Sequence, residues 1–332
     1  MVIQYVEGKN LYVPNIDDLA DMSNVGSLFH SVYKSAAEAL SQMTDYSRSA
    51  TRESHNTIIA FTGERGSGKT STMLSFAKAL KDGGAEKLCK EFEIEHNFND
   101  CNFQVIPTIE PSNLTANESI LDVVISRMYT MFRKETEERI RGTHNNAANI
   151  ENVRELNEKF FETHKAIRAL CQNKKERMGN GDSLEDLKYI AAGNRIRDIF
   201  AELTELFLSF VLCDERNKSN RKGVFRLVLC IDDLDLNPGM GYDICEDIRK
   251  YFDFPEVVVL FSVKMGQLTD IIKRRFYVDF KELIEKDMLS DSVEDMAAKY
   301  LDKLIPVNRR CVMPMFNAFT MREVEIEYRR KA

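Results

Sequence analysis

The sequence predicts a three-layer α/β fold: a central, mostly parallel sheet with helices on both faces and a helical insertion. Three observations predict it. Near-continuous apolar runs at 57–61, 224–231 and 257–263 have the composition of strands buried on both faces, as parallel strands are when helices cover a sheet. A glycine-rich turn follows the first run and leads into an amphipathic stretch. Between a strand signal at 103–109 and the run at 224–231, about a hundred residues keep helical spacing with almost no strand character.

In chain order, VIQYV and LYV flank Glu7-Gly8-Lys9-Asn10, which predicts a short hairpin. Leu28, Val32, Ala36, Leu40 and Met43 space a helix over 25–46, and a polar linker, SRSATRESHN, leads to the first buried strand. Residues 57–71 read TIIAFTGERGSGKTS, and from Gly63 they match G-x-x-x-x-G-K-[ST] at Gly63, Gly68, Lys69 and Thr70. With Gly at about 7% usage, these four positions coincide by accident in roughly one chain in a hundred of this length. The strand before and the helix after, over 70–81, make a mere turn a poorer account still. The motif is a phosphate-binding loop, so the fold expected is that of a P-loop NTPase.

The chemistry needs these residue types. Gly63, Gly66 and Gly68 lack the Cβ atoms that would keep backbone N–H groups from turning inward on a polyphosphate, with Glu64, Arg65, Ser67 and Ser71 completing the cradle. Lys69 reaches for the β- and γ-phosphates of ATP, and the Thr70 hydroxyl is placed for Mg²⁺. The strand at 224–231 ends in Asp232-Asp233-Leu234-Asp235, at the carboxyl end where ligands sit in parallel sheets. Asp232 is expected to hold Mg²⁺, mostly through water, and Asp233 to polarise the attacking water as a general base. Asp235 is expected to brace the turn. Ser262 and Lys264, at the end of the 257–263 strand, are candidate sensors of the γ-phosphate. Arg274, Arg275, Arg309 and Arg310 are candidates for an arginine finger reaching a neighbouring subunit's nucleotide, although any one of them is more commonly a surface arginine. The absence of an N-K-x-D motif after the loop favours ATP over GTP.

The helix beginning near 118, capped by Asn117, carries Ile120, Val124, Met128 and Met131. Val153, Leu156, Phe160, Ile167 and Leu170 space a second helix, and the apolar positions from Leu184 to Phe210 a third. The chain is expected to divide into an N-terminal hairpin and helix (1–50), a first core part (51–114), the insertion (115–222), a second core part (223–314) and a C-terminal segment (315–332). No complete helical lid follows the core, which is the expectation for a reduced lid or for the front part of a longer protein.

Composition narrows the remaining classes. With 43% hydrophobic and 30% charged residues and no apolar run near the ~20 residues that span a bilayer, the expectation is a soluble, cytoplasmic protein without membrane partners. The seven cysteines include no C-x-x-C pair and the five histidines are isolated, so no zinc site is expected. A net charge of −7 does not draw the chain to nucleic acid. NKKER, RNKSNRK and IKRRF offer local positive charge for a nucleic-acid motor or loader, but short charge runs are ordinarily solvated loops.

At GERGSGKT (63–70), CIDDLDL (230–236), VVVLFSVKMGQL (257–268) and KYLDKLIPVNRRCVMP (299–314), the sequence resembles the KAP family of P-loop NTPases, within the group that includes AAA-like and STAND ATPases. The resemblance spans about 57–314. It implies the additional-strand class, an acidic pair after an apolar strand, a long insertion between the two motifs and a tyrosine-containing segment, here Tyr300 to Ile305, before the last core strand. Many members carry an arginine where this chain has Leu236, an acid where it has Lys264, and transmembrane helices in the insertion. Soluble relatives include bacterial ATPases that act with an effector enzyme against phage, so the resemblance implies an oligomeric ATPase with an effector partner in antiviral defence. The alternative is a nucleotide-gated scaffold that seldom hydrolyses.

Overall fold

The computed structural model describes residues 2–6, 29–48, 56–81, 85–94, 101–115, 118–141, 147–171, 195–212, 224–315 and 325–329. The strands are β1 (Val2–Val6), β2 (Ile58–Thr62), β3 (Cys101–Val105), β4 (Val224–Ile231), β5 (Val257–Val263), β6 (Arg310–Val312) and β7 (Glu325–Arg329). The helices are α1 (His30–Arg48), α2 (Lys69–Lys81), α3 (Ala85–Glu91), α4 (Ile120–Arg141), α5 (Ala147–Cys171), α6 (Ile196–Leu212), α7 (Gly241–Tyr251), α8 (Met265–Asp279), α9 (Lys281–Glu285) and α10 (Val293–Leu304).

Five strands form one sheet in the order β3-β4-β5-β2-β6, every pair parallel. Side chains alternate between its faces because successive Cβ atoms in a strand point in opposite directions. Ile58, Ala60, Leu227, Leu229, Ile231, Val257, Val259 and Phe261 face one apolar cluster, shared with helices α4 to α8 and α10. Ile59, Phe61, Val228, Cys230, Val258, Leu260 and Cys311 face the other, shared with α1, α2 and α3. The result is helix on sheet on helix. β5, buried at every residue, lies between β2 and β4, a position that no sequence pattern specifies.

The insertion is part of this core rather than an appendage. Phe200, Leu203, Phe207 and Leu208 of α6 are buried in the same cluster as the sheet, and α5 packs outside α4 and α6 through Phe160, against Phe132 and Phe207. Ser119 closes the amino end of α4: its hydroxyl accepts from the Asp122 amide at 3.1 Å, and the Asp122 carboxylate accepts from Ser119 N at 3.3 Å. Asn117 and the apolar positions 184–190 lie outside the described residues, as do NKKER and RNKSNRK. β1 does form, but its partner is β7, in parallel, with Val2 opposite Glu325. The hairpin arm expected at 11–13 lies outside the described residues. Cys89, Cys230, Cys245 and Cys311 are free thiols.

Candidate functional site

At the carboxyl end of β2 the chain turns through Gly63–Gly68 into α2, and each glycine there has a reason. Gly66 and Gly68 adopt φ of +80° and +90°, a region that L side chains enter only under strain. A Cβ on Gly63 would stand 2.8 Å from both Met313 Cβ and Ser67 Oγ. Met313 is held there because its amide donates to the Thr62 carbonyl at 2.7 Å, just after β6 pairs with β2. Ser67 N donates to Glu64 O at 3.2 Å, closing the loop, while Ser67 Oγ is buried with no hydrogen-bond partner among the described residues. The first amides of α2 have no carbonyl one turn back, so this helix end carries unpaired donors and partial positive charge.

The alternation of the sheet decides what faces that helix end. Asp232 continues Val228 and Cys230 onto the α2 face, and Ser262 continues Val258 and Leu260 onto the same face. Thr70 Oγ1 donates to Asp232 Oδ1 at 2.7 Å and lies 3.5 Å from Ser262 Oγ. Asp232 is 9% exposed and Ser262 is fully buried. Asp232 is pinned from its other side by the segment that follows β3. After β3 the chain leaves the sheet and returns at Ile109, whose amide donates to Cys230 O and whose carbonyl accepts from Asp232 N, both at 2.8 Å. Among the described residues no three His, Cys, Asp or Glu side chains group as a metal site. The two hydroxyls and one carboxylate are instead a hard-oxygen set that could hold Mg²⁺ together with phosphate oxygens and water.

Asp233 breaks from the strand in the left-handed conformation, φ 49° and ψ 45°, and its carboxylate makes no hydrogen bond to the turn that follows. Burial, reinforced by the charges of Asp232 and Asp235, raises its pKa, against the pull of Lys69 and Arg65. Asp235 is the brace expected of it: its Oδ1 accepts from Lys264 N at 3.1 Å, tying the acidic turn to the end of β5. Lys69 Nζ donates to Glu64 O at 3.1 Å, and Lys264 Nζ pairs with Glu64 Oε2 at 2.5 Å. The convergence of two lysines on Glu64 and the packing of Met313 against Gly63 are the features that sequence reasoning missed. Charge complementarity between Glu64 and Lys264 was visible, but nothing in the sequence joined positions 200 residues apart.

The four arginine candidates do not behave alike. Arg309 is 4% exposed and its Nη1 donates to the Ala39 carbonyl of α1, so it braces the fold and cannot reach a neighbouring subunit. Arg310 donates to Ile305 O at 2.8 Å and to Asp302 Oδ1 at 2.7 Å, which commits it within the chain. Arg275 pairs with Asp279 at 2.9 Å and lies over the Tyr242 ring. Arg274 is exposed on α8 and forms no hydrogen bond or ion pair among the described residues.

No protein-family model matches the chain, and no curated protein matches it. Among the described residues no helix is long and apolar enough to cross a membrane.

Proposed function

We propose that the chain is a Mg²⁺-dependent ATPase of the P-loop type, in the additional-strand class, as its resemblance to the KAP family implies. The observation that carries this reading is the 2.7 Å hydrogen bond from Thr70 to Asp232, which joins the glycine loop to the acidic strand across 162 positions. The place of β5 between the strands that carry them supports the class, and the unpaired buried hydroxyl of Ser67 supports a loop shaped for an acceptor-rich ligand.

In this reading the loop from Gly63 to Ser71 binds the phosphates of ATP through its amides and Lys69. Thr70 and Asp232 would hold Mg²⁺, which when bound would draw charge off the phosphates. Asp233 takes a proton from the attacking water, and its raised pKa suits it to accept one. Oxygen of that water bonds to the γ-phosphorus as the bond to the β–γ bridging oxygen breaks, giving ADP and inorganic phosphate. Phosphate release from ATP by the full chain, with Mg²⁺ and with a chelator, tests it beside Lys69→Ala. Turnover that needs Mg²⁺ and disappears with Lys69 is expected. Equal release from both proteins would overturn the reading.

A second reading, a nucleotide-gated scaffold with little turnover, is favoured by the in-chain commitments of Arg275, Arg309 and Arg310, which leave hydrolysis short of an arginine. Single-turnover hydrolysis against nucleotide affinity separates the two. The homo-oligomer, the effector partner and a role in antiviral defence rest on the resemblance, and Arg274 is the residue open to a neighbouring site. Particle mass with and without a non-hydrolysable ATP analogue tests the oligomer.

A further inference from the structure

Both lysines of the site end on one residue. Lys69 Nζ is bonded to the main-chain oxygen of Glu64, and Lys264 Nζ is paired with its carboxylate at 2.5 Å. The two are anchored differently. Lys69 belongs to the first turn of α2, whereas Lys264 leaves the end of β5, where Val263 is in register with Thr62 and the Lys264 amide is held by Asp235. The backbone of Lys264 is therefore fixed between the glycine loop and the acidic turn, while its ammonium can swing on four methylenes. Glu64 is the second residue of the loop, and its side chain is 65% exposed, so the ion pair holding that ammonium is solvated and weak.

We propose that Lys264 recognises the terminal phosphate of a nucleoside triphosphate, and that Glu64 is the counter-ion which that phosphate displaces. The inference rests on the reading of the loop as a nucleotide site. A terminal phosphate offers more charge and three acceptor oxygens where Glu64 offers one carboxylate, so the exchange runs toward the triphosphate. A diphosphate lacks that group and leaves the pair intact. Lys264 thus makes the site discriminate between tri- and diphosphate within a single chain, and Glu64 sets the cost of that discrimination. A pair that merely tied the loop to β5 would affect both nucleotides alike.

The test is calorimetric titration of the full chain with ATP and with ADP, in Mg²⁺, for wild type, Lys264→Met, Glu64→Gln and the double variant. Lys264→Met keeps the apolar stem and removes the charge. It should weaken ATP about 10- to 100-fold, the range of a charge-assisted hydrogen bond, while ADP changes by less than about threefold. Glu64→Gln should tighten ATP by up to about tenfold, a gain that the double variant loses. An unchanged ATP-to-ADP ratio in Lys264→Met would overturn the proposal, and if ADP still bound and Lys69→Ala abolished that binding, the nucleotide site itself would stand. Wild type that bound neither nucleotide would remove the site and the proposal together. Should Lys264→Met not fold, the Glu64→Gln ratio decides alone, and an unchanged value overturns the proposal.

Discussion

The Thr70 hydroxyl donates to Asp232 across the gap between α2 and β4, and Ser262 Oγ stands 3.5 Å from the same hydroxyl. Three oxygens from three elements therefore crowd one point, which has a use if a cation takes the place of the shared proton. In the wild type, chelating Mg²⁺ should weaken ATP binding. Thr70→Ala and Asp232→Asn should lose most of that difference, and Asp232→Asn should cut turnover by at least about 10²-fold. Thr70→Ser keeps the hydroxyl and should keep the Mg²⁺ effect. Titration with ATP in Mg²⁺ and in chelator reads all three, and an undiminished Mg²⁺ effect in Asp232→Asn would remove that residue from the metal.

The carboxylate of Asp233 is left unengaged by the turn it begins, and the proposed function makes it the base that acts on water. Asp233→Asn keeps the shape and loses the base, so nucleotide affinity should hold while turnover falls by about 10²- to 10⁴-fold. Lys69→Ala should instead abolish binding. Equal turnover in wild type and Asp233→Asn would exclude Asp233 from the reaction.

The faces of the sheet were legible in the sequence because period-2 alternation carries them. Counting by twos from Val228 and Cys230 puts Asp232 on the α2 side, and the same count from Val258 puts Ser262 there. Sheet order was not legible, since β5 follows β4 in the chain and only three-dimensional packing seats it beside β2. The pairing of β1 with β7 escaped for the same reason: a turn signal at Gly8 spoke locally, while the partner lay at the far end of the chain. Arginine roles escaped because a guanidinium looks alike in sequence whether it meets solvent or a buried carbonyl. The reciprocal bonds of Ser119 with Asp122 at the start of α4 also escaped, although a serine followed three positions later by an acid was there to read.

Arg309 and Arg274 make that last distinction measurable. Arg309→Ala leaves the Ala39 carbonyl without its buried donor and should cost about 2–3 kcal/mol in denaturant unfolding. Arg274→Ala should leave stability within about 0.5 kcal/mol. If the chain assembles and shares its sites, Arg274→Ala should lower turnover by about 10³-fold or more at concentrations where it is assembled, and not below them. A fall that is independent of concentration would count against action across subunits.

Gly63 is a packing requirement. The Cβ of an alanine there would lie 2.8 Å from both Met313 Cβ and Ser67 Oγ, and while the serine hydroxyl can rotate away, a Cβ moves only with its backbone, so backbone must shift. Gly63→Ala should therefore destabilise by about 1–3 kcal/mol. Unfolding of the purified variant in urea checks it, and a stability equal to wild type would mean that β6 yields at no cost.

Asp247 and Glu246 adjoin on α7 and titrate in opposite directions, which gives stability two separate pH limbs. Burial, with the charges of Asp243, Asp122 and Glu246, pushes Asp247 up from 3.8 to about 6 despite Lys250. Its native form binds the proton more tightly than the unfolded form, so this residue's contribution falls as pH rises from about 4 to about 6 and stays low above that. Asp247→Asn should gain about 1–2 kcal/mol at pH 7, with the gain vanishing by about pH 4. Glu246 is held down to about 2 although burial opposes it, by hydrogen bonds from Arg249 and Tyr300 and by the charge of Lys250. Its contribution is complete above about pH 4.5 and is lost as pH falls toward about 2, so Glu246→Gln should cost about 2–3 kcal/mol at pH 7. Urea unfolding of wild type and both variants from about pH 2 to about pH 8 spans both limbs, and a pH-independent gap for Asp247→Asn would show that burial does not hold its proton.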